Sequence, residues 1–284
     1  MVLSNNIYEP IDLSEYIQTG EGGTAFSYTH KTRNILAKLY KPGFEAERAV
    51  EEFLTACTVY EIGIPTPKPI RLITDGECYG AEYELIGNKR SFARVLSEEP
   101  GRLDEITNTF VRKTKELHSS KADTTRIKSY KERVTRFYKE KNLVPPVFRE
   151  RALAFLEKVP DTPTCLHGDL QIGNIITDGD RILWIDVGEF SYGAPEWDLS
   201  LMWTICNNID VCRADRTFHI TPGMLNAHWG IFLRAYLGTS DSQTLEAFTK
   251  RLLPFYAAKL PYVYDMAYHG SLSEAKSQML LKLL

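Results

Sequence analysis

The run His167-Gly168-Asp169-Leu170-Gln171-Ile172-Gly173-Asn174 sets an aspartate and an amide five residues apart in a glycine-containing loop, and Asp186-Val187-Gly188 begins twelve residues after Asn174. A carboxylate and an amide oxygen brought to one edge suit Mg²⁺, which takes few protein ligands and completes its octahedron with water and phosphate oxygens. A further carboxylate beside them could orient an acceptor hydroxyl, the other requirement of phosphoryl transfer. Asp169 is the candidate for that role, and Asn174 and Asp186 are the candidate ligands. Singly, each would pass as a turn former, because Asp and Asn bond their own backbone where strands end. Together they flank a predicted hairpin: Asn174 precedes the strand Ile175–Thr177, and Asp186 follows Ile182–Ile185, with Asp178-Gly179-Asp180 between. Antiparallel pairing brings the chain back about 5 Å from where it started, so both side chains emerge at one edge.

A second group of candidates lies upstream. Thr19-Gly20-Glu21-Gly22-Gly23-Thr24-Ala25 falls between two predicted strands. Gly20, Gly22, Gly23 and Thr24 could turn backbone N–H groups toward one anion. No Gly-Lys-Ser/Thr follows and no helix starts there, so this is not a Walker loop. Lys38 sits in Ile35-Leu36-Ala37-Lys38-Leu39-Tyr40, apolar on both sides. Buried without a partner it would cost several kcal/mol, so a central position in a sheet demands an anion. The next predicted helix offers Glu45, Glu47, Glu51 and Glu52. Glu51 and Glu52 lie equally far from the centre of its apolar stripe, and periodicity does not choose between them.

The elements that must hold these groups change character along the chain. Strands are predicted within 16–40, followed by a helix from about Gly43 to Glu61 whose apolar positions Ala46, Ala49, Val50, Phe53, Leu54, Cys57 and Tyr60 recur at i, i+3, i+4, i+7. Gly63 and Pro65 end it. Two strands, Ile70–Thr74 and Tyr79–Ile86, flank an Asp75-Gly76 turn. Helices follow near 91–98, 102–118 and 127–157, and again from 196 onward. A β-rich first third before a helical remainder indicates an α+β protein of two lobes, 1–86 and 87–284.

Composition narrows the class. With 284 residues, 43% hydrophobic and 25% charged, the chain can bury a sizeable core, and a formal charge of −3 gives no bias toward nucleic acid or anionic membranes. No run approaches the ~18 apolar residues of a membrane span. The start, Met1 to Asn6, carries no secretory pattern. Cys57, Cys78, Cys165, Cys206 and Cys212 are scattered with no C-x-x-C, which reads as buried thiols in a reducing cytoplasm.

The pattern H-x-D-x-x-x-x-N followed by D-x-G is that of the protein-kinase-like fold. With Gly168 in the position where protein kinases carry arginine, and with Gly193-Ala194-Pro195-Glu196-Trp197-Asp198-Leu199 downstream, the chain resembles the aminoglycoside phosphotransferase and choline kinase superfamily from about Ile17 to Trp203. The resemblance implies a bilobal fold with a β-rich N-lobe and a mainly helical C-lobe, and a small-molecule kinase using Mg²⁺ and ATP (or GTP). It implies Asp169 as catalytic base, Asn174 and Asp186 as metal ligands, and Asp198 as a brace of the catalytic loop. It favours Glu52, just before Phe53, as the partner of Lys38, and Tyr83, Glu84, Leu85 and Ile86 as the connector that would meet adenine. Val187 stands where such families often have phenylalanine, and Glu189 is a further candidate contact.

Charge bears on the acceptor. From Asp210 onward six acids face eight bases, and Lys121–Arg151 holds ten Lys/Arg against four Asp/Glu, which disfavours a polycationic aminoglycoside. A single amine could be held by Trp229, Tyr236, Tyr262, Tyr264 or Tyr268, although core packing for the rings and a solvated face for the lysines is the simpler reading. Two competing functions remain. A non-catalytic nucleotide-binding module of the same fold would need none of Lys38, Asp169, Asn174 and Asp186. A protein kinase is disfavoured by Gly168, by the lack of an A-P-E segment, and by the short interval from Asp186 to Asp198. Oligomeric state and the identity of the acceptor leave no sequence signal.

Overall fold

The computed structural model describes residues 7–209, 211–268 and 270–284. The segment 1–6 and the side chains of Asp210, Cys212, Arg213 and Tyr268 lie outside the described residues. In chain order the elements are β1 (Glu9–Pro10), β2 (Tyr16–Glu21), β3 (Ala25–His30), β4 (Ile35–Tyr40), α1 (Ala46–Glu61), β5 (Pro69–Thr74), β6 (Tyr79–Glu84), β7 (Arg90–Ser91), α2 (Phe92–Glu98), α3 (Leu103–Ser119), α4 (Tyr130–Glu140), α5 (Pro146–Lys158), β8 (Cys165–Leu166), β9 (Ile175–Thr177), β10 (Ile182–Trp184), β11 (Ser191–Tyr192), α6 (Glu196–Asn208), α7 (Val211–Phe218), α8 (Pro222–Leu237), α9 (Ser242–Tyr268) and α10 (Glu274–Leu281).

The chain forms two compact units, 1–90 with 176–189 and 91–175 with 190–284. The first is built on a six-stranded sheet of order β1-β5-β6-β4-β3-β2, antiparallel except where β1 meets β5. Lys38 lies centrally, opposite Ser27 on β3 and Ala81 on β6. Its strand is paired on both sides, so the lysine is not an edge-strand charge. Helix α1 covers the sheet with Ala49, Ala56 and Val59 buried, and its Val50 and Phe53 join Tyr40, Leu72 and Ala81 in one apolar cluster. The period-3.6 stripe on α1 and the period-2 faces of β4 and β6 meet there, which fixes which side of β4 faces the helix.

The segment 176–189 was expected in the second lobe but belongs to the first unit. Its attachments explain this. Ile176, Leu183 and Ile185 pack on Ile86, Trp184 N–H donates to Pro65 O at 2.8 Å, and Arg181 pairs with Glu84 at 2.9 Å. Strands β9 and β10 are sheet neighbours joined by a four-residue connection, which only antiparallel pairing permits.

The second unit is helical. Helix α3 packs on α8, and α6 packs on both α8 and α9. Its core gathers Tyr130, Tyr138, Phe148, Trp197, Phe255, Ala257 and Ala258. The helix expected over 127–157 is two helices, α4 and α5. Pro145 and Pro146 cannot donate to a continuing ladder, and Pro145 displaces the residue before it from helical backbone, so the chain breaks at 141–145 and restarts with Pro146 in the first turn.

Candidate active site

Each unit carries its own cluster of candidate residues. In the first, Lys38 Nζ donates to Glu52 Oε1 at 2.8 Å and to Asp186 Oδ1 at 2.9 Å. Three elements supply the trio: β4, α1 and the turn after β10. Between Glu51 and Glu52, which periodicity left open, the ammonium sits on Glu52. Tyr40, two residues beyond Lys38 and so on the same face of β4, donates its hydroxyl to Glu52 Oε2. The carboxylate is thereby held at both oxygens. Burial alone would lower the Lys38 pKa, but the charges of Asp186 and Glu52 outweigh it and hold the ammonium well above its ordinary range. The Tyr40 and Tyr83 hydroxyls are pushed up, first by burial and then by the negative charge of Glu52. Sequence reasoning passed over Tyr40, although its spacing from Lys38 was the available signal.

Asp186 adopts φ +59°, a left-handed backbone that aspartate tolerates better than most residues and that marks stored local strain. It turns the chain out of β10 into the short helical turn Val187–Glu189. At Gly188 a Cβ would lie 3.0 Å from Glu52 Cγ and 3.1 Å from both Cδ and Oε2. The glycine of the D-x-G pattern therefore leaves room for Glu52 to reach Lys38.

The glycine-rich segment forms the connection between β2 and β3, closed by Gly22 N–H donating to Ala25 O at 2.8 Å, while Thr24 O accepts from Lys41 at 2.9 Å. Gly20, Gly22 and Gly23 are not among the positive-φ glycines, so the alternating backbone of a phosphate nest is absent. Space is open at Gly23, where a Cβ would meet nothing within 4 Å, whereas a Cβ at Gly20 would lie 3.6 Å from Ser27 Cβ and one at Gly22 3.5 Å from Ala25 O. In the expected adenine connector, Tyr83 lies opposite Leu36 on the face that carries Lys38. Glu84 N–H donates to Lys68 O at 2.8 Å and Leu85 N–H to Asn34 O at 3.1 Å, so both amides are spent within the sheet. Ile86 is buried against the β9–β10 hairpin. An adenine edge would have to use the carbonyls of this segment or the Ile86 amide.

In the second unit the loop after β8 carries Asp169 and Asn174. Asn174 is buried and donates its amide Nδ2 to Asp169 O at 2.9 Å and to Asp169 Oδ2 at 2.8 Å. Both partners are acceptors, which assigns the amide nitrogen to this side and leaves Oδ1 as the atom able to meet a cation. Gly168 has φ +82°, the second position where glycine is required. The loop is held by Asp198, fully buried in the first turn of α6, whose Oδ2 accepts from His167 N–H at 2.7 Å and whose Oδ1 accepts from Gly168 N–H at 2.8 Å. The expected brace is therefore a pair of main-chain hydrogen bonds. Burial would raise the Asp198 pKa, but the hydrogen bond from His118, at 3.2 Å, together with the nearby charges keeps it below the usual carboxylate range. His118 Nε2 carries the proton shared with Asp198, and Nδ1 is hydrogen-bonded to Tyr236 Oη at 2.9 Å.

His118 and Lys259 were missed. Nothing local links His118 to Asp198, 80 residues away. Lys259 was counted with solvated bases, yet it is 2% exposed and donates to Gly168 O at 2.8 Å and Trp197 O at 3.1 Å. A lone cation in the apolar run Leu252–Leu260 was the available signal. Three of the five candidate cage rings have aromatic partners inside the second unit. Trp229 and Tyr236 stack on Phe232 of α8, whereas Tyr262 packs on Tyr130 and Phe137 in the core.

Among the described residues Cys57, Cys78, Cys165 and Cys206 form no disulfide, and burial pushes the Cys165 thiol up to about 11. No described helix is long and apolar enough to cross a membrane.

Residues 17–228 match the phosphotransferase enzyme family, APH. No curated protein matches the chain significantly. Solved structures similar in fold include a thermostable mutant of aminoglycoside phosphotransferase APH(4)-Ia (13% identity, 94% of this chain and 92% of that one, TM-score 0.60). A choline/ethanolamine kinase family protein from Mesorhizobium loti is similar at 13% identity over 94% and 85%, TM-score 0.53. Amicoumacin kinase hAmiN, solved with AMP-PNP, Ca²⁺ and Ami, is similar at 15% identity over 98% and 89%, TM-score 0.55. The chain has their protein-kinase-like fold, a β-sheet amino-terminal region followed by a helical remainder.

Proposed function

Because the chain belongs to the phosphotransferase enzyme family, we propose that it transfers the γ-phosphoryl group of ATP or GTP to a hydroxyl of a small molecule, with Mg²⁺, in the cytoplasm. The observation that carries this reading is Lys38, an ammonium in the middle of a sheet held between Glu52 and Asp186. A half-buried cation drawn between two carboxylates in the middle of a sheet is more than the sheet needs for structure alone. It suits a site whose third partner is a polyphosphate. The solved amicoumacin kinase, with its bound nucleotide analogue, supports a nucleotide co-substrate.

In this reading Asp169 accepts the proton of the acceptor hydroxyl, and Asn174 fixes the orientation of that carboxylate through its Nδ2. The oxygens available to Mg²⁺ would be Asn174 Oδ1 in the second unit and the Asp186 carboxylate in the first; an amide and a carboxylate are donors of the kind this hard cation takes. When bound, the ion neutralises charge on the β- and γ-oxygens. Lys38 binds the α- and β-phosphates, with Glu52 and Tyr40 setting the position of its ammonium. Tyr83 to Ile86 would border the adenine, and Gly20, Gly22, Gly23 and Thr24 would border the phosphates, with open space at Gly23. The acceptor is a neutral or anionic metabolite, which the basic balance of the second unit favours over a polycation; a single amine is the alternative.

An ADP-release screen with Mg²⁺ and ATP or GTP over choline, ethanolamine, amino acids, sugars and aminoglycosides tests the reading. Acceptor-dependent release supports it. Nucleotide binding with no release across the panel would favour a non-catalytic module.

A further inference from the structure

Lys259 is a buried cation that the proposed mechanism does not use. It lies in α9 between Pro254 and Pro261, with its ring neighbour Tyr130 4.5 Å from the ammonium. Desolvating an ammonium costs several kcal/mol, and apolar residues of similar volume often replace buried ions without loss of stability. A lysine kept at this depth calls for a reason in its partners, and they are not arbitrary. Gly168 O, at 2.8 Å, belongs to the peptide that enters Asp169; Trp197 O, at 3.1 Å, belongs to the peptide that enters Asp198.

Gly168 is consequently held at both ends. Its N–H is donated to Asp198 Oδ1 at 2.8 Å and its C=O accepts from Lys259, while its own φ is +82°. The plane of the Gly168–Asp169 peptide sets the direction in which the Asp169 side chain leaves the backbone. Asn174 steadies the far end of that side chain and the Asp169 carbonyl; on the Gly168–Asp169 peptide itself, Asp169 N–H donates to His167 Nδ1 at a long 3.3 Å, and the shorter bond is the one from Lys259 to the carbonyl. We propose that Lys259 is a positioning residue for Asp169: its ammonium holds the carbonyl of the Gly168–Asp169 peptide and so fixes that peptide plane. The proposal rests on the reading of Asp169 as the proton acceptor. Positioning of this kind has a measurable scale, because a displacement of about 1 Å of a catalytic group costs on the order of 100-fold in rate.

The test compares wild type with Lys259→Met, which keeps the length and removes the donor, and Lys259→Gln, which keeps a neutral donor. Three quantities are read on the full chain: steady-state ADP release with Mg²⁺-ATP and the acceptor panel, Mg²⁺-ATP affinity, and amide hydrogen exchange peptide by peptide. The expected result for Lys259→Met is kcat lower by about 10- to 100-fold with nucleotide affinity within about twofold, and faster exchange confined to 165–174. Lys259→Gln should recover part of both effects. Unchanged kcat in a folded Lys259→Met protein overturns the proposal. So does exchange that rises equally throughout 91–175 and 190–284, because that is the signature of lost packing rather than lost positioning. If Lys259→Met does not fold, Lys259→Gln is read by the same criteria. If wild type releases no ADP with any acceptor, the phosphotransfer reading fails on its own; exchange at 165–174 in the variant then decides whether Lys259 holds the loop.

Discussion

Replacing Gly188 by alanine tests the Lys38 site without touching any group that would meet a ligand. The added Cβ would stand 3.0 Å from Glu52 Cγ and 3.1 Å from Glu52 Cδ and Oε2. Gly188 is not a positive-φ residue, so the backbone accepts alanine and the whole effect falls on Glu52. Glu52 cannot simply rotate away. Its side chain is only 14% exposed, and both oxygens are engaged, by Lys38 at 2.8 Å and by Tyr40. A shift of a few tenths of an ångström stretches the Lys38 bond. A hydrogen bond to a charged group is worth about 1.5–3 kcal/mol, and loss of roughly half of it is about 0.8–1.5 kcal/mol, or about four- to twelvefold in a binding or rate constant. Gly188→Ala should therefore weaken Mg²⁺-ATP binding by that factor, read by calorimetry, with a matching loss in kcat/KM. Glu52→Asp withdraws the crowded carboxylate by one methylene, so the two substitutions should couple: the double variant should lose less than the sum of the single losses. Wild-type affinity in Gly188→Ala, or strict additivity in the double variant, would refute the claim that Gly188 exists to admit Glu52.

Asp169→Asn should lower kcat by about 10²–10⁴-fold while Mg²⁺-ATP affinity stays near wild type, because the base meets the acceptor rather than the nucleotide; near-normal turnover would remove it from that role. Asp186→Asn should abolish the Mg²⁺ dependence of nucleotide binding, measured by titration with and without the metal. Tyr40→Phe removes the hydroxyl from Glu52 Oε2 and should cost about 1–2 kcal/mol in ATP affinity, with kcat little changed. Buried His228, bonded to Thr107 at 2.8 Å, has its pKa pushed down to about 3 by burial, so the folded protein keeps it neutral where the unfolded chain protonates it. Stability should therefore fall as pH drops from about 6.5 toward 3, by about 2 kcal/mol between 6.5 and 5, and His228→Gln should flatten that part of the pH profile in denaturant titrations.

The parts legible in the sequence were those whose cause is local. The hairpin between Asn174 and Asp186 follows from alternation and a turn signal, and the α1 stripe follows from helical period. The proline break between α4 and α5 was equally local, and missing it was a failure to weigh Pro145-Pro146 against a continuous apolar pattern. The choice between Glu51 and Glu52 was of another kind. Both positions satisfy the helix equally, and only the distance from α1 to the central strand β4 selects one.

The same division explains the second unit. Asp198 and the loop it holds share a recognisable sequence block, but His118 and Lys259 reach that block from α3 and α9, 80 and 62 residues from their partners at 198 and 197. No period or spacing encodes such a contact. What the sequence does carry is an anomaly, a lysine inside the apolar run that ends at Pro261, where every neighbour predicts burial and the charge forbids it unless a partner is supplied. Counting that lysine with the surface bases assumed that charge implies solvent. The contradiction was itself the signal, because a cation that an apolar helix face drags into the core must be met there by carbonyls or carboxylates, and in this fold the carbonyls that meet it are those of Gly168, in the loop that carries Asp169, and of Trp197 in α6.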